Sequence, residues 1–366
     1  MTTYLLAGGG TAGHVNPLLA VADRLRERDP RAEVFVLGTA EGLESRLVPA
    51  RGYALLTIPK VPFPRRPNRQ AVAFPGRFRR SVDQVRGLIR EHGVQVVVGF
   101  GGYVSTPAYL AARRARVPVA IHEANARPGL ANRLGARFAA ATGVAFEGTP
   151  LPRAEVVGMP LRREIEQLDR AASRAEAATV FGLDPDRPVL LATGGSLGAR
   201  RINATVVGAA ERLLATGWQI LHLTGAKSEV VDPGLAGYRM VEYADRMDLA
   251  LSLADAAVSR AGAGTVSELA ALGIPAVYIP YPVGNGEQRF NAAPVVAAGG
   301  GLLVADRDFT PEWVASALVP LLEDRAAVDA MARAAAAAGF RDGTDRMVRL
   351  VDRALGGADL AGPDRA

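Results

Sequence analysis

The stretch LLAGGGTAGHVNPLLAVADRL, Leu5–Leu25, decides how the chain is read. A short apolar run enters glycines and then a helical pattern, and Gly8, Gly10 and Gly13 meet the G-x-G-x-x-G spacing of dinucleotide-binding folds. That reading also requires an acid at the C-terminal end of the next strand, to hold ribose hydroxyls. The next strand, VFVLGT, ends in Gly38 and Thr39, and Glu33 stands at its beginning. A nicotinamide-dependent oxidoreductase thereby loses its support. What remains is a set of backbone amides at a helix N-terminus, suited to anionic or sugar oxygens. His14, beside Asn16 and Pro17, is the unusual companion, because histidine titrates near neutrality and can take a proton from a hydroxyl. A helix cap, or packing under the loop, is its structural alternative.

The same pattern recurs outward from this stretch. Apolar runs of strand length follow as VFVLGT, VQVVVGF, VPVAIHE, VLLATGG, ILHLTG, AAVSRAG and PAVYIPYP, with helical stretches such as Pro17–Glu27 and Ile202–Ala215 between them. This alternation predicts parallel sheets with helices on both faces and ligands at the carboxyl ends of strands. At Pro188–Val206, PVLLATGGSLGARRINATV, a strand again runs into glycines and a helix. The proline-bearing segment Thr149–Ile165 reads as the connection, with a boundary near Pro160–Arg163. The expected division is 1–161, then 162–355 with the alanine-rich C-terminal helices, then a loose tail at 356–366. A length of 366 residues fits two domains at about 150 residues each.

Lys+Arg of 43 against Asp+Glu of 37 leaves a net charge of +6, with Lys60 and Lys227 the only lysines. A general preference for arginine and a selected anionic partner account for this equally well. The absence of cysteine excludes disulfides and thiolate metal sites, and His14, His92, His122 and His222 show no ligand spacing. No apolar signal region precedes the strand at Tyr4 and no apolar run reaches the ~20 residues that span a bilayer, so a cytosolic protein is expected.

Five further loops carry chemistry. FGGYVSTPAYLAA, Phe100–Ala112, opens a helix at Thr106–Pro107 and is either a tight turn or a ligand loop. IHEANARPGLANR sets His122, Glu123 and Asn125 directly after an apolar strand, where a polar substrate would be met. TGGSLGARRIN places Ser196 at the start of a helix suited to phosphate. In SRAGAGTVSELAALGIPAVYIPYP, Ser259–Pro282, the strand ends in small residues, a helix is expected from about Thr265, and Glu268 falls in its first turn. Such a helix start can neutralise a diphosphate while the carboxylate accepts two vicinal hydroxyls; Thr265 and Glu268 equally form a capping box. YPVGNGEQRFNA offers Glu287, Gln288 and Asn291 to read sugar hydroxyls or to cap a helix.

In order and spacing, GGTAGH, FGGYVS, HEAN, GGSLGA, AGTVSE and EQRFNA resemble the MurG family of N-acetylglucosaminyltransferases of peptidoglycan synthesis, over nearly the whole chain. The resemblance implies an α/β protein of GT-B architecture, two Rossmann-like parallel-sheet domains facing a cleft. It implies a C-terminal domain for UDP-N-acetylglucosamine (UDP-GlcNAc) and an N-terminal domain for undecaprenyl-diphospho-N-acetylmuramyl-pentapeptide (lipid I). The product would be lipid II, formed with inversion at the anomeric carbon. Carried onto this chain, Thr11, Ala12 and Gly13 match the family's glycine loop near the transferred sugar, and Asn125 matches the asparagine of its motif. Arg162 matches the arginine after the inter-domain strand, Ser196 the serine of the second glycine loop, and Ala244 the residue whose backbone meets uracil. Ala263, Gly264, Thr265, Val266, Ser267 and Glu268 match the nucleotide-binding helix start, with Glu268 on ribose, and Gln288 matches a glutamine on GlcNAc. The chain departs from the familiar pattern at Ala12, at Glu287, where paired glutamines are usual, and at Met159, where an asparagine precedes proline.

The step so implied is direct displacement: the muramyl 4-hydroxyl attacks the anomeric carbon as UDP leaves, with His14 the candidate base. Amides around Ala263–Thr265, with Ser196 and Arg162, would take the place of a divalent metal. Asp184 and Asp186 flank Pro185 ahead of a strand rather than after one, so neither metal nor cofactor is expected. A lipid acceptor requires a membrane. Lys60–Ser81 gathers Arg65, Arg66, Arg69, Arg77, Arg79 and Arg80 around Phe63, Phe74 and Phe78. Cations near an anionic leaflet contribute about 1 kcal/mol each and aromatics add insertion, which predicts peripheral binding to the cytoplasmic face of the cell membrane. A solvated basic loop is the plain alternative, and no nucleic-acid signature accompanies the patch. A GT-B enzyme with another lipid or aglycone acceptor, or a silent nucleotide-sugar-binding scaffold, are the rival readings.

Overall fold

The computed structural model describes residues 1–62, 64, 69–195, 198–283 and 286–359, with the backbone alone at 69–71 and 357–359. Its first sheet holds β1 (Thr3–Gly8), β2 (Glu33–Gly38), β3 (Ala54–Thr57), β4 (Val96–Gly101), β5 (Val119–Glu123), β6 (Ala141–Val144) and β7 (Ala154–Val156). The second holds β8 (Val189–Thr193), β9 (Gln219–Leu223), β10 (Tyr238–Val241), β11 (Ala254–Ser259), β12 (Ala276–Tyr278) and β13 (Gly301–Leu303). Every pairing is parallel, in the orders β3-β2-β1-β4-β5-β6-β7 and β10-β9-β8-β11-β12-β13. β1, β4 and β8 are buried at every residue, which is why they read as unbroken aliphatic runs: helices cover both faces of a parallel sheet. Each sheet reverses its order once, between β1 and β4 and between β8 and β11. At such a switch point the loops leaving adjacent strands diverge and open a ligand crevice.

The helices of the first sheet include α1 (Ala12–Arg28), α2 (Glu44–Ala50), α3 (Arg69–Glu91), α4 (Ser105–Ala115) and α5 (Leu130–Gly135). α1 begins five residues before the proline that marks its expected start. Pro17 sits in the second turn, where its missing N–H leaves the Gly13 carbonyl without a helical partner. Leu18, Val21, Ala22 and Leu25 hold the helix on the sheet.

Two compact units divide the chain, residues 1–162 with 342–366, and residues 163–341. The C-terminal helix Gly343–Asp359 thus corrects the expected division, which gave it to the second domain. Its Met347, Val348, Leu350, Val351 and Ala354 join the core of the first sheet beside Leu18 and Val98. Thr344 donates to the Leu161 carbonyl at 3.2 Å, and Asp345 and Asp352 pair with Arg24 and Arg28 of α1. The helix also continues past Gly356 to Asp359, where a loose tail was expected; residues 360–366 lie outside those described.

Candidate functional site

In the first unit the glycine loops after β1 and β4 touch. A Cβ at Gly102, whose φ is +89°, would fall 2.6 Å from the Gly9 carbonyl oxygen, so only glycine lets the two backbones meet. A Cβ at Gly101 would lie 3.1 Å from Nε2 and Cδ2 of His14, so the second loop makes room for the imidazole of the first. Thr11 caps α1 without a side-chain hydrogen bond, and Thr11, Ala12 and Gly13 are exposed. Ala12, where the chain departs from the familiar pattern, is the first residue of α1 and does not have a positive φ, so its methyl meets no backbone strain there.

His14 Nδ1 lies 3.2 Å from the Gly9 carbonyl oxygen and 3.2 Å from Thr11 Oγ1. A carbonyl only accepts, so Nδ1 carries the proton and Nε2 is the basic nitrogen. Burial lowers the imidazole pKa, opposed by Glu123, the Gly9 carbonyl and Glu44. A neutral, partly exposed imidazole at the switch point of the sheet is equipped to accept a hydroxyl proton.

Two carboxylates organise the surroundings. Glu44, at the start of α2, is fully buried and accepts from Gly10 N–H at 2.8 Å, Thr39 N–H at 2.9 Å and Thr39 Oγ1 at 2.8 Å. Burial opposes its charge, but these donors outweigh it and hold the carboxyl below its ordinary pKa. Sequence reasoning missed Glu44, and no spacing marks it; in the structure Gly9, Gly38 and Gly42 converge on its carboxylate, and each would collide with it if given a Cβ. Thr39, where a dinucleotide fold would present an acid outward, instead binds an acid turned inward.

Glu123 accepts from Asn125 N–H, Gly129 N–H and Asn132 Nδ2, each at 2.9 Å, and shapes the HEAN loop instead of meeting a substrate. His122 is likewise corrected. It is fully buried with Nε2 on the Gly158 carbonyl at 2.9 Å, and burial pushes its pKa down to about 4 despite that carbonyl. Asn125 is half-buried on the loop surface, and Arg162, also half-buried, follows β7.

In the second unit the loops after β8 and β11 again flank the switch point. The helix Ala263–Ala271 starts two residues earlier than expected, with Gly262 as an N-cap that supplies no side chain. Glu268 therefore falls in the second turn and Thr265 forms no capping box; Gly264 and Thr265 are part of the first turn, whose amides face out of the helix end. Gly264, Thr265, Ser267 and Glu268 are half-buried, while Ala263 and Val266 pack inward. Ser196 lies outside the described residues; around it, Gly195 and Gly198 take φ of +84° and +77° before a helix that begins at Arg200. Gln288 opens the helix Glu287–Ala297 and its Oε1 accepts from Tyr281 N–H at 2.9 Å, while Asn291 is buried and donates to the Ala261 carbonyl. Ala244 is half-buried in the irregular segment after β10. His222 is held between Tyr238 at 2.6 Å and Asn203 at 3.1 Å, with its pKa pushed by burial to about 4. Among the described residues no group of three His, Asp or Glu is placed to hold a metal ion, and the Asp184–Asp186 pair closes its own turn before β8.

The basic stretch is helical from Arg69 onward rather than a loop. Arg77, Arg79 and Arg80 are exposed on α3, and Phe74 stacks on Phe78 at 5.4 Å between centroids. Phe78 also packs on the core of the first sheet. Phe63, Arg65 and Arg66 lie outside the described residues, as does the side chain of Arg69. Among the described residues no helix is long and apolar enough to cross a membrane.

Two Rossmann-like parallel-sheet units, each with glycine loops at its switch point, define the class of two-domain GT-B transferases. The chain belongs to glycosyltransferase family 28: residues 4–144 match that family's N-terminal domain and residues 189–347 its C-terminal domain. A protein of Leifsonia xyli named UDP-N-acetylglucosamine--N-acetylmuramyl-(pentapeptide) pyrophosphoryl-undecaprenol N-acetylglucosamine transferase is 66% identical, covering 98% of this chain and 100% of that protein. Its namesake from Clavibacter sepedonicus is also 66% identical, with 97% of each chain covered. The crystal structure of Acinetobacter baumannii MurG superposes with a TM-score of 0.80 at 28% identity, covering 96% of this chain and 100% of that one.

Proposed function

We infer that this family 28 glycosyltransferase moves GlcNAc from UDP-GlcNAc to the muramyl 4-hydroxyl of lipid I, giving lipid II. The full-length likeness to the Leifsonia xyli transferase carries this reading. The second unit takes the donor. Amides of the first turn at Ala263–Thr265, with Ser196, receive the diphosphate and stabilise the charge that develops as UDP leaves. Glu268 accepts the ribose hydroxyls, the Ala244 backbone meets uracil, and Gln288 donates to the sugar from its Nε2, its Oε1 being engaged by Tyr281. In the first unit Thr11, Ala12 and Gly13 form the glycine loop assigned to the transferred sugar, Asn125 is a further substrate-binding residue, and His14 Nε2 takes the proton as the hydroxyl attacks with inversion. Charge neutralisation by helix amides supports transfer without a metal ion. The exposed arginines of α3 and the Phe74–Phe78 pair support a peripheral position on the anionic cytoplasmic face of the cell membrane.

An acceptor panel tests the substrate assignment. Labelled UDP-GlcNAc is offered with a soluble lipid I analogue, a diacylglycerol and an aromatic aglycone. Transfer to the muramyl acceptor alone is expected; preference for either of the others would overturn it.

A further inference from the structure

We propose that Glu44 is a positioning residue for the transfer reaction, acting on His14 through the single peptide group that joins Gly9 to Gly10. The proposal rests on the reading of His14 as the base. In a trans peptide the C=O and N–H point in opposite directions, and the described residues contain no cis bond. The Gly10 N–H donates to Glu44 Oε2 at 2.8 Å, and the Gly9 carbonyl of the same peptide accepts from His14 Nδ1 at 3.2 Å. Carboxylate, peptide and imidazole therefore form one line of donors and acceptors. A charged acceptor on the N–H polarises the peptide and makes its carbonyl a stronger acceptor. The stronger that carbonyl, the more firmly the ring proton stays on Nδ1 and Nε2 stays open to the hydroxyl proton. A carboxylate bonded directly to histidine does the same in a hydrolase triad.

The surroundings fit this use. Thr39 holds Oε1 through both its N–H and its hydroxyl, which fixes Oε2 on Gly10. A Cβ at Gly9 would lie 2.5 Å from Oε1, and Gly38 and Gly42 clear the same carboxylate from two other sides. An apolar side chain at this helix start would fill that space without the cost of burying a charge. The charged groups that face His14 are Glu44 of α2 and Glu123 of β5, and both favour the imidazolium against burial. Glu123 bonds the HEAN loop and leaves the Gly9–Gly10 peptide to Glu44.

Glu44→Gln tests the relay, because an amide cannot accept from both Gly10 and Thr39. The full-length chain is labelled with ¹⁵N-histidine, the His14 signals are assigned by comparison with His14→Ala, and ring nitrogens are titrated alongside kcat on a soluble lipid I analogue. The wild type is expected to hold the Nδ1–H form. In Glu44→Gln that signature is expected to relax to a mixture of tautomers, with the acid limb of the rate profile moved to lower pH. kcat is expected to fall tenfold or more while KM for UDP-GlcNAc stays within twofold. Thr39→Val, which loosens Oε1 and spares the Gly10 bond, is expected to shift the same readings less, and it serves if Glu44→Gln does not fold. An unchanged tautomer and acid limb, even with a lowered melting temperature, would reduce Glu44 to a structural strut and overturn the proposal. The nitrogen signals need no turnover. A tautomer shift without transfer to any muramyl acceptor would sink the proposed function and keep the relay; transfer without the shift would do the reverse.

Discussion

At the scale of single residues, His14 is set apart from the other histidines by what its nitrogens touch. Its lowered pKa means that the neutral ring persists to lower pH than in free histidine, so kcat/KM is expected to rise through a limb below pH 6.5 and stay flat at neutrality. His14→Ala is expected to lower kcat by roughly 10²–10⁴ with little change in KM for UDP-GlcNAc; unchanged turnover would remove His14 from the chemistry. His122 and His222 act on stability instead. With folded values of about 4 against 6.5 unfolded, the unfolded chain binds more protons between those limits. Their contribution is full above pH 6.5 and is lost as pH falls toward 4, about 3 kcal/mol for each buried ring. Urea unfolding at pH 7 and pH 4.5 measures the loss, and His122→Gln is expected to remove its share; an undiminished pH dependence would assign it to other groups. His14 was legible because a titratable ring inside a glycine loop has few structural uses. His122 misled because a strand buried on both faces has no outward side to which its polar residues must point. Glu44 was silent because the inward turn of a helix-start acid depends on side-chain direction, which spacing does not encode.

At the scale of elements, the β–loop–α units were legible from aliphatic runs meeting glycines, but their boundaries were not. Gly262 and Gly264 made the start of the helix Ala263–Ala271 resemble a loop, whereas a first turn has no amide partners to lose and tolerates glycine. Pro75 hid the helical course of α3 in the same way, and Pro17 hid the first turn of α1. The α3 helix matters for the membrane reading because it sets Arg77 and Arg80, three residues apart, on one face, where a loop would scatter them. Replacing Arg77, Arg79 and Arg80 together by glutamine is expected to weaken binding to anionic vesicles by about 3 kcal/mol, on the order of a hundredfold. Turnover on a soluble acceptor is expected to hold. Vesicle affinity unchanged by the triple substitution would return α3 to the status of a solvated basic face.

At the scale of the whole molecule, the repeat of strand, glycine loop and helix disclosed two parallel sheets. It could not disclose that the last helix returns to the first of them, since an apolar stripe reports burial and not its partner. Deleting residues 343–366 is expected to strip hydrogen-exchange protection from β1–β7 while β8–β13 keep theirs, because the buried face of that helix belongs to the first core alone. Loss confined to the second sheet would contradict the assignment. The central claim is the transfer reaction itself, proposed to need no metal. Its most direct test is the rate at which labelled GlcNAc passes from UDP-GlcNAc to a lipid I analogue in EDTA, for the wild type and for Glu268→Ala. The expected result is undiminished metal-free transfer by the wild type and a raised KM for UDP-GlcNAc in the variant. UDP-GlcNAc bound but never transferred to a muramyl acceptor, with or without added metal, would contradict the account while leaving the fold intact.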